Sequence, residues 1–586
     1  MTNSRKSILS LPYFQLIASI VVVFVVYGKT LKFDLVLDDD LVINNTHVQR
    51  GVSGIPDIMS SGYLSGFNGA SSTYRPLPLV TFALEQSIHD LNPIWSRIFQ
   101  LILYALAVVL LIQLAKLWFS NFSNSLLLFV GLLFLLNPIH TEVVCNLKSR
   151  DELLAVVFVL LTLFSVSKYR ESKSLKWLIY SGVSALLAFM SKENAVMLFV
   201  FVPLLNLIFF KNGWQASIKA SLGVAAATIL YFSIRYVVLD ANNLPQEQFV
   251  MNNAFVHTTL FERVGNSAYL LLLYVFKALI PYKLTWDYSY STLQFHSITS
   301  LVGGVSLLVV LAGIALLVWK RKSVRNYLIL VAGFVLFLVT VLNFFVLIGA
   351  NFAERFLMIP SVFIALLLGL VINDLIRTKK LNEKSALLVC TALSLFYSVV
   401  TINRASDWKD NETLFFASLE TNPESARVQT VLGNLHREKA ENMQPNIAQE
   451  QMYRKAFSFY DAALNILPEA YEALYNKGVI YQQTGGVELA KQQFLQVIQI
   501  DSNHVNALNN LGVIYYNEKD ISSAEKYWTK AYSITQNDAD VVGNMGVLYH
   551  SKGDYNTAVD FYERALKINP NQLLMQQNLE DAKSRM

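Results

Sequence analysis

The sequence predicts an all-α protein in two parts: a polytopic membrane helix bundle, then a soluble helical repeat array. Three observations predict it. Membrane-length apolar runs recur from Leu11 to Ile402. Of the 586 residues, 54% are hydrophobic and only 15% charged, a balance that a water-soluble chain of this size would not tolerate. Beyond Ile402 the composition turns abruptly polar and acquires a 34-residue period. The bundle is therefore expected over residues 1–402 and the repeats over 403–586.

The first apolar run, 11–27, follows Arg5 and Lys6, which puts the N-terminus in the cytosol. No small-residue cleavage site follows it, so it reads as an uncleaved anchor. Residues 30–94 then form a long extracytosolic polar loop that opens on Asp38, Asp39 and Asp40. It includes 51–65, where a short helix lying on the membrane is expected, and Tyr74-Arg75-Pro76-Leu77. Spans are expected at 95–117, 123–138, 142–168, 174–190, 194–210 and 217–238, each near bilayer length. Lys116, then Lys168, Arg170, Lys173 and Lys176, then Lys211 and Lys219, fall on the cytosolic side of this scheme. The runs 300–319 and 361–376 end in Lys320-Arg321-Lys322 and Arg377-Thr378-Lys379-Lys380, which are also cytosolic. Segment 264–280 is read as re-entrant or membrane-lining, because a crossing there would export the Lys320 cluster. About eleven crossings result, and everything after Ile402 lies outside.

In the polar part, Gly478, Gly512 and Gly546 each open a Gly-Val-Ile/Leu-Tyr run. Ala490, Ala524 and Ala558 keep the same period, as do Phe494, Trp528 and Tyr562. This is a tetratricopeptide pattern. An earlier copy keeps Ala456 and Tyr460 in register, but its Gly433 is displaced by 11 residues, which implies an insertion around 441–450. Four repeats and a closing helix at 572–583 make a short solenoid, with the small residues as packing positions.

Charge and cysteine content narrow the partners. A net charge of +5 without a basic stripe of interleaved aromatics gives no nucleic-acid footprint. Cys145 and Cys390 have neither disulfide-framework nor zinc-ligand spacing. The polar residues gathered at extracytosolic helix ends are Asp38 to Asp40, Arg75, His140 and Glu142, Lys192 and Glu193, Asp287, and Glu354 with Arg355. Arg150, Asp151 and Glu152 are expected a few turns into the fourth span. Such convergence implies a water-accessible cleft.

The order LVLDDD, YRPL, NPIHTEVV with SRDELL, SKENA and AERFLMIPS, closed by a tetratricopeptide array, resembles the transmembrane and tetratricopeptide repeat-containing family and its bacterial relatives. The resemblance spans nearly the whole chain. It implies a GT-C fold and a protein O-mannosyltransferase-like activity: mannose moved from a dolichyl- or other polyprenyl-phosphate donor to Ser or Thr hydroxyls. Asp38 and Asp39 match the family's Asp-Asp pair, one serving as the base that single displacement needs and the other orienting it or binding the acceptor. Their bland alternative is a solvated or helix-capping cluster. Arg75, Arg150, Lys192 and Arg355 are the candidates for the donor phosphate. Each cation also has a bland reading as a partner of a nearby acid: Arg150 of Asp151 or Glu152, Lys192 of Glu193, Arg355 of Glu354. His140 and Glu142 either position a water or sugar hydroxyl or cap a span, and no metal is expected. PYKLTWDY resembles the family's proline and Asp-Tyr pattern, so Asp287 either lines the cleft or is a loop aspartate beside Lys283. Arg97, Gln100 and Tyr104 depart from the family's His-x-x-Asn-x-x-x-His, which leaves the donor contact there undefined.

No cofactor is expected beyond the lipid-linked donor. The repeats, on the side of the active face, would bind an extended acceptor polypeptide. Two rivals stay open, a transferase for a glycan or lipid acceptor and a non-catalytic scaffold recruiting partners through its repeats. A secondary transporter fits less well, since the polar residues gather at one face and the spans show no internal repeat. The compartment expected is a bacterial inner membrane with periplasmic repeats, or endoplasmic reticulum with luminal ones.

Overall fold

The computed structural model describes residues 12–586 apart from 69–72, 212, 240–250, 252, 257, 291, 294–295 and 321–323. Arg5, Lys6, Arg321 and Lys322, which orient the chain above, lie outside them. The described residues form helices and turns without a strand, in two compact units, Met1–Asn422 and Pro423–Met586. The division falls later than Ile402, where apolarity ends. The helix carrying Ile402 continues as Glu383–Asp407, and Asn411–Thr421 also stays with the first unit. Contacts explain this: the Lys29 ammonium donates to the Ile402 carbonyl and to Ser406, and the Asp34 N–H donates to the Lys409 carbonyl at 2.9 Å.

Among the described residues, seven helices are long and apolar enough to cross a membrane: Phe14–Lys32, Pro93–Trp118, Arg150–Ser172, Trp214–Val238, Leu301–Trp319, Pro360–Arg377 and Glu383–Asp407. At about 1.5 Å per residue, even the shortest approaches the roughly 30 Å hydrocarbon core. Three shorter apolar stretches, Leu175–Ser191, Glu193–Phe209 and Arg325–Val339, and a pair bent by 46°, Asn124–Leu135 with Pro138–Cys145, stand where further crossings are expected. The bend has a local cause. Pro138 lacks an N–H and keeps Asn137 extended, and the Asn137 side chain caps the Ile139 N–H.

A second break follows at Asn146, which is also extended, and it corrects the reading of 142–168 as one span. Arg150, Asp151 and Glu152 therefore occupy the first turn of Arg150–Ser172 rather than a point several turns deep. Segment 264–280 lies, up to Leu279, in one uninterrupted helix, Leu260–Leu279, opened by a Thr259–Glu262 capping box; of the two alternatives, a re-entrant path would need a turn inside it, whereas a membrane-lining one would not. The loop 30–94 is largely helical, with short helices at Asp39–Ile43, Thr46–Gln49 and Ile55–Met59 and a longer one at Pro76–His89. Its polar composition conceals a small core of Val42, Val48, Ile58, Leu79 and Phe82, which Leu147 joins from beyond the loop.

The repeat unit consists of four helix pairs, from Ala426–Glu441 with Ile447–Ile466 to Ala539–Ser551 with Tyr555–Ile568, closed by Leu573–Ser584. The insertion in the first repeat lengthens its second helix to 20 residues, against 14 in the later ones. The periodic glycines admit the aromatic of the partner helix: a Cβ on Gly478 would stand 2.6 Å from the Phe494 ring, and one on Gly546 2.6 Å from Tyr562. Packing, as expected, explains the small residues.

Candidate functional site

The acidic stretch begins in a tight turn, with the Asp39 N–H donating to the Val36 carbonyl at 3.1 Å. Its three carboxylates have different surroundings. Asp39 is buried, and accepts the Val36 N–H at 3.1 Å and the Lys148 N–H at 2.9 Å. Burial pushes its carboxyl up to about 6, against the pull of those two donors and of Arg97. Both its oxygens thus hold backbone. Asp40 is exposed and accepts from the Asn44 amide at 3.3 Å. Asp38, with 55% of its side chain exposed, faces the Lys148 ammonium at 3.9 Å.

Lys148 leads into a group of cations and carboxylates. Its side chain is 13% exposed, and burial pulls its ammonium below the usual lysine range while Asp151 and Asp38 oppose that pull. Lys192 bridges Asp151 at 2.8 Å and Glu152 at 3.1 Å. Arg75 reaches the same Asp151 oxygen at 3.0 Å and grips Glu193 at 2.7 and 2.9 Å, with its guanidinium over the Tyr63 ring. Arg355 pairs with Glu142 at 2.5 Å and lies within electrostatic reach of Asp38 and Glu152. These partners correct the sequence-local pairings: Lys192 does not pair with Glu193, nor Arg355 with Glu354.

Of the residues singled out by sequence, Asp38, Arg75, Glu142, Lys192, Glu193 and Arg355 gather here, joined by Asp151 and Glu152. Others lie apart. Arg150 is buried against Glu85, at 2.7 and 3.3 Å, and over the Phe82 ring, so its acid is neither Asp151 nor Glu152. His140 is buried between the Tyr104 hydroxyl and Ser361, 2.8 Å from each. Asp287 accepts the Ser289 hydroxyl at 2.8 Å in its own turn. Glu354 accepts from the Tyr288 hydroxyl at 2.6 Å and the Thr285 N–H at 2.8 Å, and burial pushes its carboxyl up to about 7.

The three departures from the family pattern are structural here. Arg97 ties the Asp34 and Cys145 carbonyls together, Gln100 holds the Val143 and Asn146 carbonyls, and Tyr104 meets His140. Lys148 escapes the sequence reading because 142–168 reads as one continuous span. Once the break at Asn146 is recognised, Lys148 becomes a cation on the connection between two helices. Chemically, the arrangement offers an exposed proton acceptor, Asp38, beside partly exposed cations that can meet developing negative charge.

A family profile for dolichyl-phosphate-mannose-protein mannosyltransferase matches residues 77–237, and tetratricopeptide profiles match 471–504, 505–538 and 539–572. A protein O-mannosyl-transferase of Caenorhabditis elegans is 26% identical over 420 residues, covering 70% of this chain and 58% of that protein. Protein O-mannosyl-transferase TMTC3 of Homo sapiens is 22% identical over 454 residues, covering 72% of this chain and 48% of its own. The chain spans about half the length of these curated relatives. A crystal structure of ArnT from Cupriavidus metallidurans bound to undecaprenyl phosphate aligns with 90% of this chain and 79% of its own, at 13% identity and a TM-score of 0.40. Bundle, profiles and repeats define the class: a polytopic membrane protein with a segment similar to dolichyl-phosphate-mannose-protein mannosyltransferases and a tetratricopeptide array. Within that class, the chain is similar in sequence to protein O-mannosyl-transferases, TMTC3 among them, over 70–72% of its length.

Proposed function

We propose that the chain is a membrane glycosyltransferase that moves a sugar, mannose in its relatives' names, from a polyprenyl-phosphate donor to Ser or Thr hydroxyls of extracytosolic polypeptides. The observation that carries this reading is the division of labour in the acidic turn. Asp39 has both oxygens committed to backbone N–H groups, whereas Asp38 is exposed beside Lys148 and within reach of Arg355. Asp38 is then the base and Asp39 its mount. As the acceptor oxygen bonds to the anomeric carbon, the bond from that carbon to the phosphate oxygen breaks. The hydroxyl proton passes to Asp38, and the electron pair leaves with the phosphate, whose charge Lys148 and Arg355 meet. Arg75 and Lys192 hold Asp151, Glu152 and Glu193 in place beside them. The repeats bind the acceptor as an extended segment, and the active face is periplasmic in a bacterial inner membrane.

The test is glycopeptide analysis of extracytosolic proteins from cells carrying wild-type protein, Asp38→Asn, Asp39→Asn or no protein. Asp38→Asn is expected to lower hexose on Ser and Thr by about 100-fold or more at equal membrane abundance, as loss of a general base does. Asp39→Asn is expected to lower the abundance of folded protein. Glycopeptides unchanged by deletion would sink the protein-acceptor reading and favour a glycan acceptor or a scaffold.

A further inference from the structure

The turn that carries Asp38 is strained, and its strain is met from the far end of the first unit. Leu37 has φ of +49°, a left-handed conformation that costs a non-glycine residue on the order of 1 kcal/mol or more. It occupies the first central position of the Val36–Asp39 turn, where a positive φ ordinarily selects glycine. The Leu37 N–H donates to the Asn411 side-chain oxygen at 2.9 Å. Asn411 is itself fixed as the first residue of Asn411–Thr421, whose N-cap Asp410 accepts the Thr413 N–H at 2.7 Å. Two residues earlier, the Lys409 carbonyl accepts the Asp34 N–H.

The rest of the turn is equally committed. The Val36 carbonyl takes the Asn146 amide at 3.2 Å besides the Asp39 N–H, and the Val36 N–H goes to the Asp39 carboxylate. One side-chain hydrogen bond, 374 residues distant in sequence, thus holds the N–H of the strained residue immediately before Asp38. We propose that Asn411 is a positioning residue, which clamps Leu37 in its left-handed conformation and so aims the Asp38 carboxylate at the Lys148 side of the site. The inference rests on Asp38 being the base. It makes the segment that leads out of the last membrane helix part of the active-site turn, although that segment is some 370 residues away in the chain.

The experiment compares full-length wild-type protein, Asn411→Ala, Asn411→Asp and Asn411→Ala with Leu37→Gly. Transfer rate per folded molecule and hydrogen exchange of the peptide covering 34–41 are read for each. Asn411→Ala is expected to slow transfer at saturating acceptor about tenfold with KM unchanged, and to speed exchange of that peptide by a similar factor. Asn411→Asp keeps an acceptor oxygen and stays within about twofold of wild type. Adding Leu37→Gly to Asn411→Ala returns most of the rate, because glycine adopts a positive φ unaided. A purely structural Asn411 would lower abundance without that rescue. The proposal is overturned if Asn411→Ala keeps the wild-type rate per folded molecule, or if the double variant stays as slow as the single one. If wild-type protein transfers no hexose at all, the transferase reading fails. The exchange measurement then decides the clamp alone, and unchanged exchange in Asn411→Ala overturns it.

Discussion

Two lysine–carboxylate pairs of almost the same length mark the difference between the two units. In the first, Lys192 lies 2.8 Å from Asp151, with 7% and 1% of the two side chains exposed. In the repeats, Lys583 lies 2.7 Å from Glu563, with 52% and 55% exposed. Distance is common to both, so burial decides what each pair is worth. In water the attraction is screened and offset by side-chain entropy. In the interior, each charge has lost its hydration, and removing one partner strands the other. The comparison teaches that the ionic group in the first unit is a shared arrangement, in which no member can be lost quietly, whereas the repeats rest on periodic packing decorated with dispensable charges.

The sharpest way to break the comparison is Lys192→Ala. It would leave Asp151 with Arg75 as its one ion-pair partner and Glu152 with none, and the Glu152 Oε2 already lacks a hydrogen-bond partner among the described residues. The expected loss is about 3–5 kcal/mol of stability, read as a lower thermal midpoint in detergent and reduced membrane abundance. Lys192→Arg, which keeps the charge, should recover much of it. A midpoint unchanged by Lys192→Ala would mean that the carboxylates reach water or share a proton.

The second contrast is in pH dependence, where the two units should respond with opposite signs. Glu354, outside the spans, has a carboxyl pushed up to about 7, first by burial. A raised carboxyl contributes stability fully below its unfolded value near 4.5, and that contribution is lost as pH rises through about 7. Asp520 and Asp554 do the reverse. Each caps a repeat helix, accepting from Ser523 or Thr557, and those hydrogen bonds hold both carboxyls below the usual range. Their contribution is present above about 3.8 and is lost as pH falls further. Replacing Glu354 by Gln should flatten the decline in stability between about pH 5 and 8 by up to roughly 3 kcal/mol, read by thermal unfolding across that range. Equal slopes in wild type and Glu354→Gln would remove Glu354 from the account.

The same contrast governs what could be read from the sequence. The repeat unit is legible because its information is local and periodic: Gly478, Gly512 and Gly546 meet Phe494, Trp528 and Tyr562 at a fixed offset. The acids and bases of the membrane unit were also visible as residues, but their partners were not. Glu142 meets Arg355 from 213 residues away, and Arg75 meets Glu193 from 118. Sequence proximity suggested Glu354 and Glu193 as partners of Arg355 and Lys192, while tertiary folding chose others. The misread break has a different origin. Asn146 interrupts a run that is apolar enough to pass as one continuous helix, and hydropathy does not register a change of backbone direction. Lys148 was hidden by it.

The smallest expected effect is in the exposed pair. Lys583→Ala should change the stability of the chain by about 0–1 kcal/mol, and the change should shrink further as salt is raised. The reason lies in what holds the closing helix: Met575 and Ala582 are buried against Ala558 and Tyr562, and none of these contacts involves the ammonium. Thermal unfolding of Lys583→Ala and Lys192→Ala at low and high salt therefore reads burial directly. The Lys192→Ala penalty should survive in high salt, because only 1% of the Asp151 side chain is exposed and a buried charge is screened little. A large, salt-insensitive loss in Lys583→Ala would mean that charge as well as packing closes the repeat array.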